Sequence, residues 1–142
     1  MLSKAATPAS TGKQPVSLRV LIVDDDDFQL DYISELLQTH GVPRATQAAS
    51  GSLALAAMGR DGVPFDLIIV DLYMPDMDGF QFMEEVAKRG YAGALVIASG
   101  QRKEILHSAA LVAQLRRFNF LGTVSKPVSK SDLNAILQKV CA

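Results

Sequence analysis

Five polar residues stand where apolar runs stop. Asp24 and Asp25 follow Leu18-Arg19-Val20-Leu21-Ile22-Val23, Asp71 follows Leu67-Ile68-Ile69-Val70, Ser99 follows Ala94-Leu95-Val96-Ile97-Ala98, and Lys126 follows Leu121-Gly122-Thr123-Val124-Ser125. If the runs are strands of one sheet, these groups share an edge. Three carboxylates gathered there repel and raise one another's pKa unless a cation is bound. With no histidine or thiolate beside them they are hard oxygen donors, which favours Mg2+ or Mn2+ over zinc. A hydroxyl at Ser99 and an ammonium at Lys126 are the groups that stabilise phosphoryl oxygens. In-line attack by a carboxylate on a small phosphodonor becomes feasible in such a setting, and Asp71, flanked by both sets, is the best-placed nucleophile. Singly, each residue has a plain structural explanation: Ser99 a helix cap, Lys126 a surface cation, Asp71 a turn former. Their coincidence at matching strand ends favours chemistry. For Asp26 and Asp27 the structural explanation is preferred, as charges at a helix N-terminus.

The elements that must position these groups follow from pattern. Residues 18–23, 65–70, 94–98 and 121–125 read as buried strands, and residues 44–49 give a shorter fifth strand signal. Between them, residues 28–40 place Leu30, Ile33 and Leu37 at helical spacing before Gly41. Ser50 caps a small helix ending at Gly59, residues 79–89 carry Met83, Val86 and Ala87 on one face, and residues 103–118 align Ile105, Ala109, Val112 and Leu115. A last helix follows Ser129, whose spacing from Asp132 suits a capping box, with Leu133, Ile136, Leu137 and Val140 as its inner stripe. Strands alternating with helices predict a doubly wound α/β sandwich of three layers around a parallel sheet. Ligands of such folds sit beyond the carboxyl ends of the strands, where the five polar residues fall.

Composition bounds the function. At 142 residues, 49% hydrophobic and 20% charged, the chain makes one domain, expected over residues 18–142 behind a disordered tail at residues 1–17 that has almost nothing to bury. A net charge of -1 leaves no electrostatic footprint for nucleic acid or an anionic membrane, Arg116-Arg117 being at most a local patch. The single cysteine, Cys141, excludes an internal disulfide and suits a reducing compartment. No run is long enough to span a membrane or to form a secretory signal, so a cytoplasmic location is expected.

The segments Leu21-Ile22-Val23-Asp24-Asp25-Asp26, Asp71 with Met74-Pro75-Asp76-Met77-Asp78-Gly79, Ala98-Ser99-Gly100 and Ser125-Lys126-Pro127 together resemble the receiver domain of two-component response regulators. The resemblance extends over residues 18–140. It implies a flavodoxin-like (βα)5 fold with strand order 2-1-3-4-5. It also implies that Asp71 accepts phosphate from a sensor histidine kinase, a phosphotransfer protein or a small phosphodonor. Asp25, Asp71 and the Tyr73 carbonyl would bind Mg2+ directly and Asp24 through water, Ser99 would bind phosphoryl oxygens, and Lys126 would pair with them across a bond to Pro127 that is often cis in the family. Such a protein is a signalling switch that catalyses its own phosphorylation and dephosphorylation. The output, or a homodimer, would use the face of the fourth helix, the fifth strand and the last helix.

Two features depart from the common receiver pattern. Thr123 stands where an aromatic residue usually precedes the lysine by three positions, which removes the usual side-chain relay. The segment between Ser99 and Lys126 is also long. That long form, with Gly122-Thr123-Val124-Ser125-Lys126-Pro127-Val128-Ser129, resembles receivers joined to EAL-type cyclic-di-GMP phosphodiesterase domains. The chain is then either a free-standing receiver or the receiver part of a longer regulator. Two rival patterns fit part of the sequence. Asp76-x-Asp78-Gly79 with Glu85 approaches a calcium loop, but its first ligand position falls on Met74 and a strand precedes it where a helix is required. A haloacid-dehalogenase-like phosphatase would use Asp24-x-Asp26, with Asp24 as nucleophile, but needs an acidic pair after Lys126 that is absent. His40 precedes the helix-ending Gly41, where a partly positive imidazole is mildly favourable, and His107 has no apparent partner, so neither reads as a phosphodonor.

Overall fold

The computed structural model describes residues 11–43, 45–59, 62, 64–100 and 119–142. The strands are β1 (Val20–Val23), β2 (Ala45–Ala48), β3 (Leu67–Val70), β4 (Ala94–Ser99) and β5 (Asn119–Ser125). All pair in parallel, in the order β2-β1-β3-β4-β5, which is the flavodoxin-like order expected from the sequence. Helices α1 (Asp27–Thr39), α2 (Gly51–Gly59) and α3 (Gly79–Lys88) and a C-terminal helix (Lys130–Cys141) cover the sheet. The helix expected at residues 103–118, with His107 and Arg116-Arg117, lies outside the described residues.

The central strands are apolar throughout because both of their faces are covered. Leu21, Val23, Ile68, Val70, Leu95 and Ile97 point to one side and pack with Leu55 of α2 and Phe82, Met83 and Val86 of α3. Val20, Ile22, Leu67, Ile69, Val96 and Ala98 point to the other and pack with Ile33 and Leu37 of α1 and Leu133, Leu137 and Val140 of the C-terminal helix. Successive residues alternate between the two layers as the strand period of two requires. Each fully buried Leu, Ile or Phe contributes about 1.5–3 kcal/mol. The strand ends are thereby held in a rigid frame.

Side-chain caps start the helices, at Asp26, Ser50 and Ser129 as the sequence suggests, and at Asp78 in addition. Asp26 accepts from the Phe28 N–H at the start of α1, Ser50 Oγ from the Leu53 N–H in α2, and Ser129 Oγ from the Asp132 N–H in the C-terminal helix. Asp78 and Gln81 form a reciprocal capping box on α3.

Several strand ends shift by one or two residues from those expected: β1 starts at Val20 instead of residue 18 and β3 at Leu67 instead of residue 65. The fifth strand starts at Asn119, two residues before the expected Leu121, because Gly122 marks a bulge inside it: Leu95 pairs with Phe120, Val96 pairs with Gly122, and Gly122 has φ 131°. The tail expected through residue 17 is attached over residues 11–17. Thr11 donates through its N–H (2.8 Å) and its hydroxyl (2.9 Å) to the Val140 carbonyl, and Lys13 Nζ lies 3.1 Å from Asp66 Oδ1. Residues 15–17 form a 3-10 turn, with Pro15 against Gly41. No helix among the described residues is long and apolar enough to cross a membrane.

Candidate functional site

Register brings the five predicted residues to one edge. Val23 and Val70 are paired neighbours, and the Asp71 N–H donates to the Val23 carbonyl at 2.9 Å, so Asp24 and Asp71 leave the sheet side by side. Ser99 pairs with Ser125 across β4 and β5, and the Lys126 N–H donates to the Ser99 carbonyl at 3.2 Å. The Lys126–Pro127 peptide is cis. Just beyond it the buried Val128 carbonyl accepts from the Tyr32 hydroxyl of α1 at 2.6 Å, which anchors the segment that carries the lysine.

Asp24, Asp71 and Ser99 are the buried polar residues among those described, while Asp25 is exposed. One carboxylate oxygen from each of Asp24, Asp25 and Asp71 lies within 4.8 Å of the others. The Lys126 ammonium donates to Asp24 Oδ2 and lies 3.2 Å from Asp71 Oδ1. The other oxygen of Asp24 accepts from the Asp26 N–H at 2.9 Å. Both Asp24 oxygens are therefore engaged by the chain itself.

Burial raises the pKa of Asp71, and the Asp24 charge adds to that effect; Lys126 and the Leu72 N–H offset only part of it. Burial pushes Lys126 down, but its hydrogen bond to Asp24 and the charges of both aspartates more than reverse this, and its pKa is raised. The two directions agree physically: the ammonium gains from two carboxylates, whereas each carboxylate shares one ammonium. Three carboxylates and one ammonium leave two formal negative charges in excess (three minus one), all on oxygen donors. That deficit and donor set fit a hard divalent cation.

Residues 20–138 match the family model described as the response regulator receiver domain. The chain belongs to this family. The receiver domain is 31% identical to a two-component response regulator of Arabidopsis thaliana over 72% of this chain, and 32% identical to a hybrid signal transduction histidine kinase of Dictyostelium discoideum over 85% of it. It spans 15% and 7% of the length of those two relatives. Among solved structures it is similar to a response regulator receiver domain from Clostridium thermocellum, with TM-score 0.72, 25% identity and coverage of 87% of this chain and 94% of that one. A chemotaxis protein of Vibrio cholerae gives TM-score 0.72 and 26% identity, covering 87% of this chain and 98% of that one. The family and the solved neighbours agree with the fold and strand order, and the chain is a receiver domain of the two-component response regulator type.

The rival readings have no support in this receiver domain. Asp26, the second acid of the phosphatase alternative, caps α1. Asp76 and Asp78 of the calcium-loop alternative cap two different helices, α2 and α3. Thr123, in the place of the usual aromatic, pairs with Ile97 and is half-buried, while Phe120 of the same strand packs against the core beside α2 and α3. Tyr73, two residues past Asp71, is exposed between the buried Leu72 and Met74. Sequence reasoning missed the carboxylate of Asp76 on α2 and that of Asp66 beneath the sheet. No local signal marks either, because each partner comes from a distant part of the chain.

Proposed function

We propose that this receiver domain is a phosphorylation switch in which Asp71 is the phosphoacceptor. A carboxylate oxygen of Asp71 attacks phosphorus in line, the bond from phosphorus to the donor's nitrogen or oxygen breaks, and the leaving group takes up a proton. The product is an acyl phosphate, and its later hydrolysis by water returns the carboxylate and inorganic phosphate. Lys126 stabilises charge on the phosphoryl oxygens, and Ser99 binds them through its hydroxyl. Asp25, Asp71 and the Tyr73 carbonyl would hold Mg2+ directly, and Asp24 would act through water, as suits a carboxylate whose two oxygens already accept from Lys126 and Asp26. When bound, Mg2+ supplies positive charge to the transferred oxygens.

The single observation that carries this reading is Lys126 lying between Asp24 and Asp71 beside three clustered carboxylates. Mg2+ with beryllofluoride, which mimics the phosphoryl group, is expected to bind the wild type and not Asp71→Asn. Equal binding to both sinks the assignment.

The donor is a sensor histidine kinase or a phosphotransfer protein in the cytoplasm, a reading supported by the family and by the similarity to a hybrid signal transduction histidine kinase of Dictyostelium. An EAL-type output domain, supported by the long segment before Lys126, is tested by reading the coding sequence past Ala142 for a Glu-Ala-Leu-containing domain.

A further inference from the structure

The eight residues from Asp71 to Asp78 link β3 to α3 and include both Asp71 and the Tyr73 carbonyl. At its ends this loop is tied by the Asp71 N–H to Val23 and by the Gly79 N–H, which donates to the Leu72 carbonyl at 2.6 Å. Its exposed middle has another anchor. The Asp76 carboxylate accepts from the Gly51 N–H at 3.3 Å, from the Ser52 N–H at 3.1 Å and from the Ser52 hydroxyl at 2.8 Å. Both of its oxygens are used, and its pKa is lowered, chiefly by the two Ser52 bonds. Helix α2 already has a cap of its own, since Ser50 Oγ accepts from the Leu53 N–H at 3.1 Å. Asp76 is thus a second cap that arrives from another element.

The next residue repeats the contact in apolar form. A Cβ built on Gly51 meets Met77 Sδ at 2.9 Å and Met77 Cβ at 3.0 Å, so only glycine lets the first turn of α2 approach the loop this closely. The β2–α2 side is itself joined to the acidic cluster, because the Asp24 N–H donates to the Ala48 carbonyl at 3.1 Å. The loop that carries Asp71 and the strand end that carries Asp24 are therefore tied through one common neighbour.

From this we infer that Asp76 is a positioning residue for metal binding and phosphoryl transfer: by tying the loop to α2 it holds the Tyr73 carbonyl in register with Asp25 and Asp71. The inference rests on the proposed role of Asp71. Asp76 touches no reacting atom. It acts as groups that orient metal ligands act, by reducing the number of loop conformations in which the ligands fail to converge.

The test compares variants by calorimetric titration with Mg2+ alone, with thermal unfolding run in parallel. Asp76→Ala is expected to weaken Mg2+ binding about tenfold, the lower end of the range for groups that orient ligands. Ser52→Ala, which removes only the hydroxyl bond, weakens it less. Asp76→Asn, whose amide oxygen still accepts, recovers much of the loss. Ser50→Ala removes the helix's own cap without touching the loop, so it lowers the unfolding temperature and leaves Mg2+ affinity unchanged. Wild-type affinity in Asp76→Ala, or an equal loss in Ser50→Ala, overturns the inference while leaving the role of Asp71 intact. Uptake of beryllofluoride by Asp71→Asn overturns that role, and the inference with it.

Discussion

The Lys126 ammonium lies 3.2 Å from Asp71 Oδ1 and also donates to Asp24 Oδ2, so one cation just past β5 holds carboxylates from the ends of β1 and β3. Without it, two buried carboxylates would face each other with no fixed counter-charge.

Lys126→Met is therefore expected to destabilise the metal-free domain by about 2 kcal/mol, below the range for fully buried pairs because the lysine is partly exposed. Added Mg2+ restores part of the loss, since a ligand that binds only the native state stabilises it by mass action. Urea unfolding with and without Mg2+ measures both effects. Unchanged stability in the metal-free variant would mean that the lysine does not offset the acidic cluster.

Tyr91 provides a pH dependence away from the site. Its hydroxyl donates to the Ala94 carbonyl at 2.7 Å, and burial, with a smaller contribution from the Asp66 charge, pushes its pKa well above the usual tyrosine range. The native state thus keeps a proton that the unfolded chain loses near pH 10. The resulting stability is fully present below that pH and declines as pH rises toward the native pKa. Tyr91→Phe is expected to lose about 1 kcal/mol at neutral pH, from the unpaired carbonyl. It should also show a flatter decline between pH 9 and about 11 in denaturant titrations. A variant whose alkaline decline matches the wild type refutes this.

Beneath the sheet, Asp66 joins three segments. It accepts from the Arg19 N–H at 2.8 Å and from Lys13 Nζ at 3.1 and 3.2 Å, while the Arg19 guanidinium lies 4.6 Å from the centre of the Phe65 ring. Asp66→Ala leaves a backbone donor unpaired and is expected to cost about 1–2 kcal/mol. Lys13→Ala removes only a partly exposed ion pair and should cost less than about 1 kcal/mol. Equal losses in thermal unfolding would place the energy in the ion pair instead of the backbone bond.

Legibility followed the range of the forces. The run Leu67-Ile68-Ile69-Val70 reads as a strand buried on both faces, and each of these residues lies in one of the two core layers. The caps Ser50 and Ser129 are readable because a capping bond spans only two or three residues. Gly122 lies inside the run 121–125 that reads as a strand, and only pairing with β4 reveals that it forms a bulge there. Residues 11–17 have too few apolar groups to predict burial, and their attachment depends on a carbonyl in the last helix and a carboxylate at the start of β3.

From the sequence alone came the parallel α/β fold, the ends of its central strands and the five polar residues beyond them, because burial periodicity and turn chemistry are local properties of a chain. The tertiary structure decided which distant residues touch: Lys126 reaching both Asp24 and Asp71, and Asp76 crossing to α2. Those contacts join residues up to 102 positions apart, and their geometry is set by sheet register and helix packing, which no short window of sequence contains.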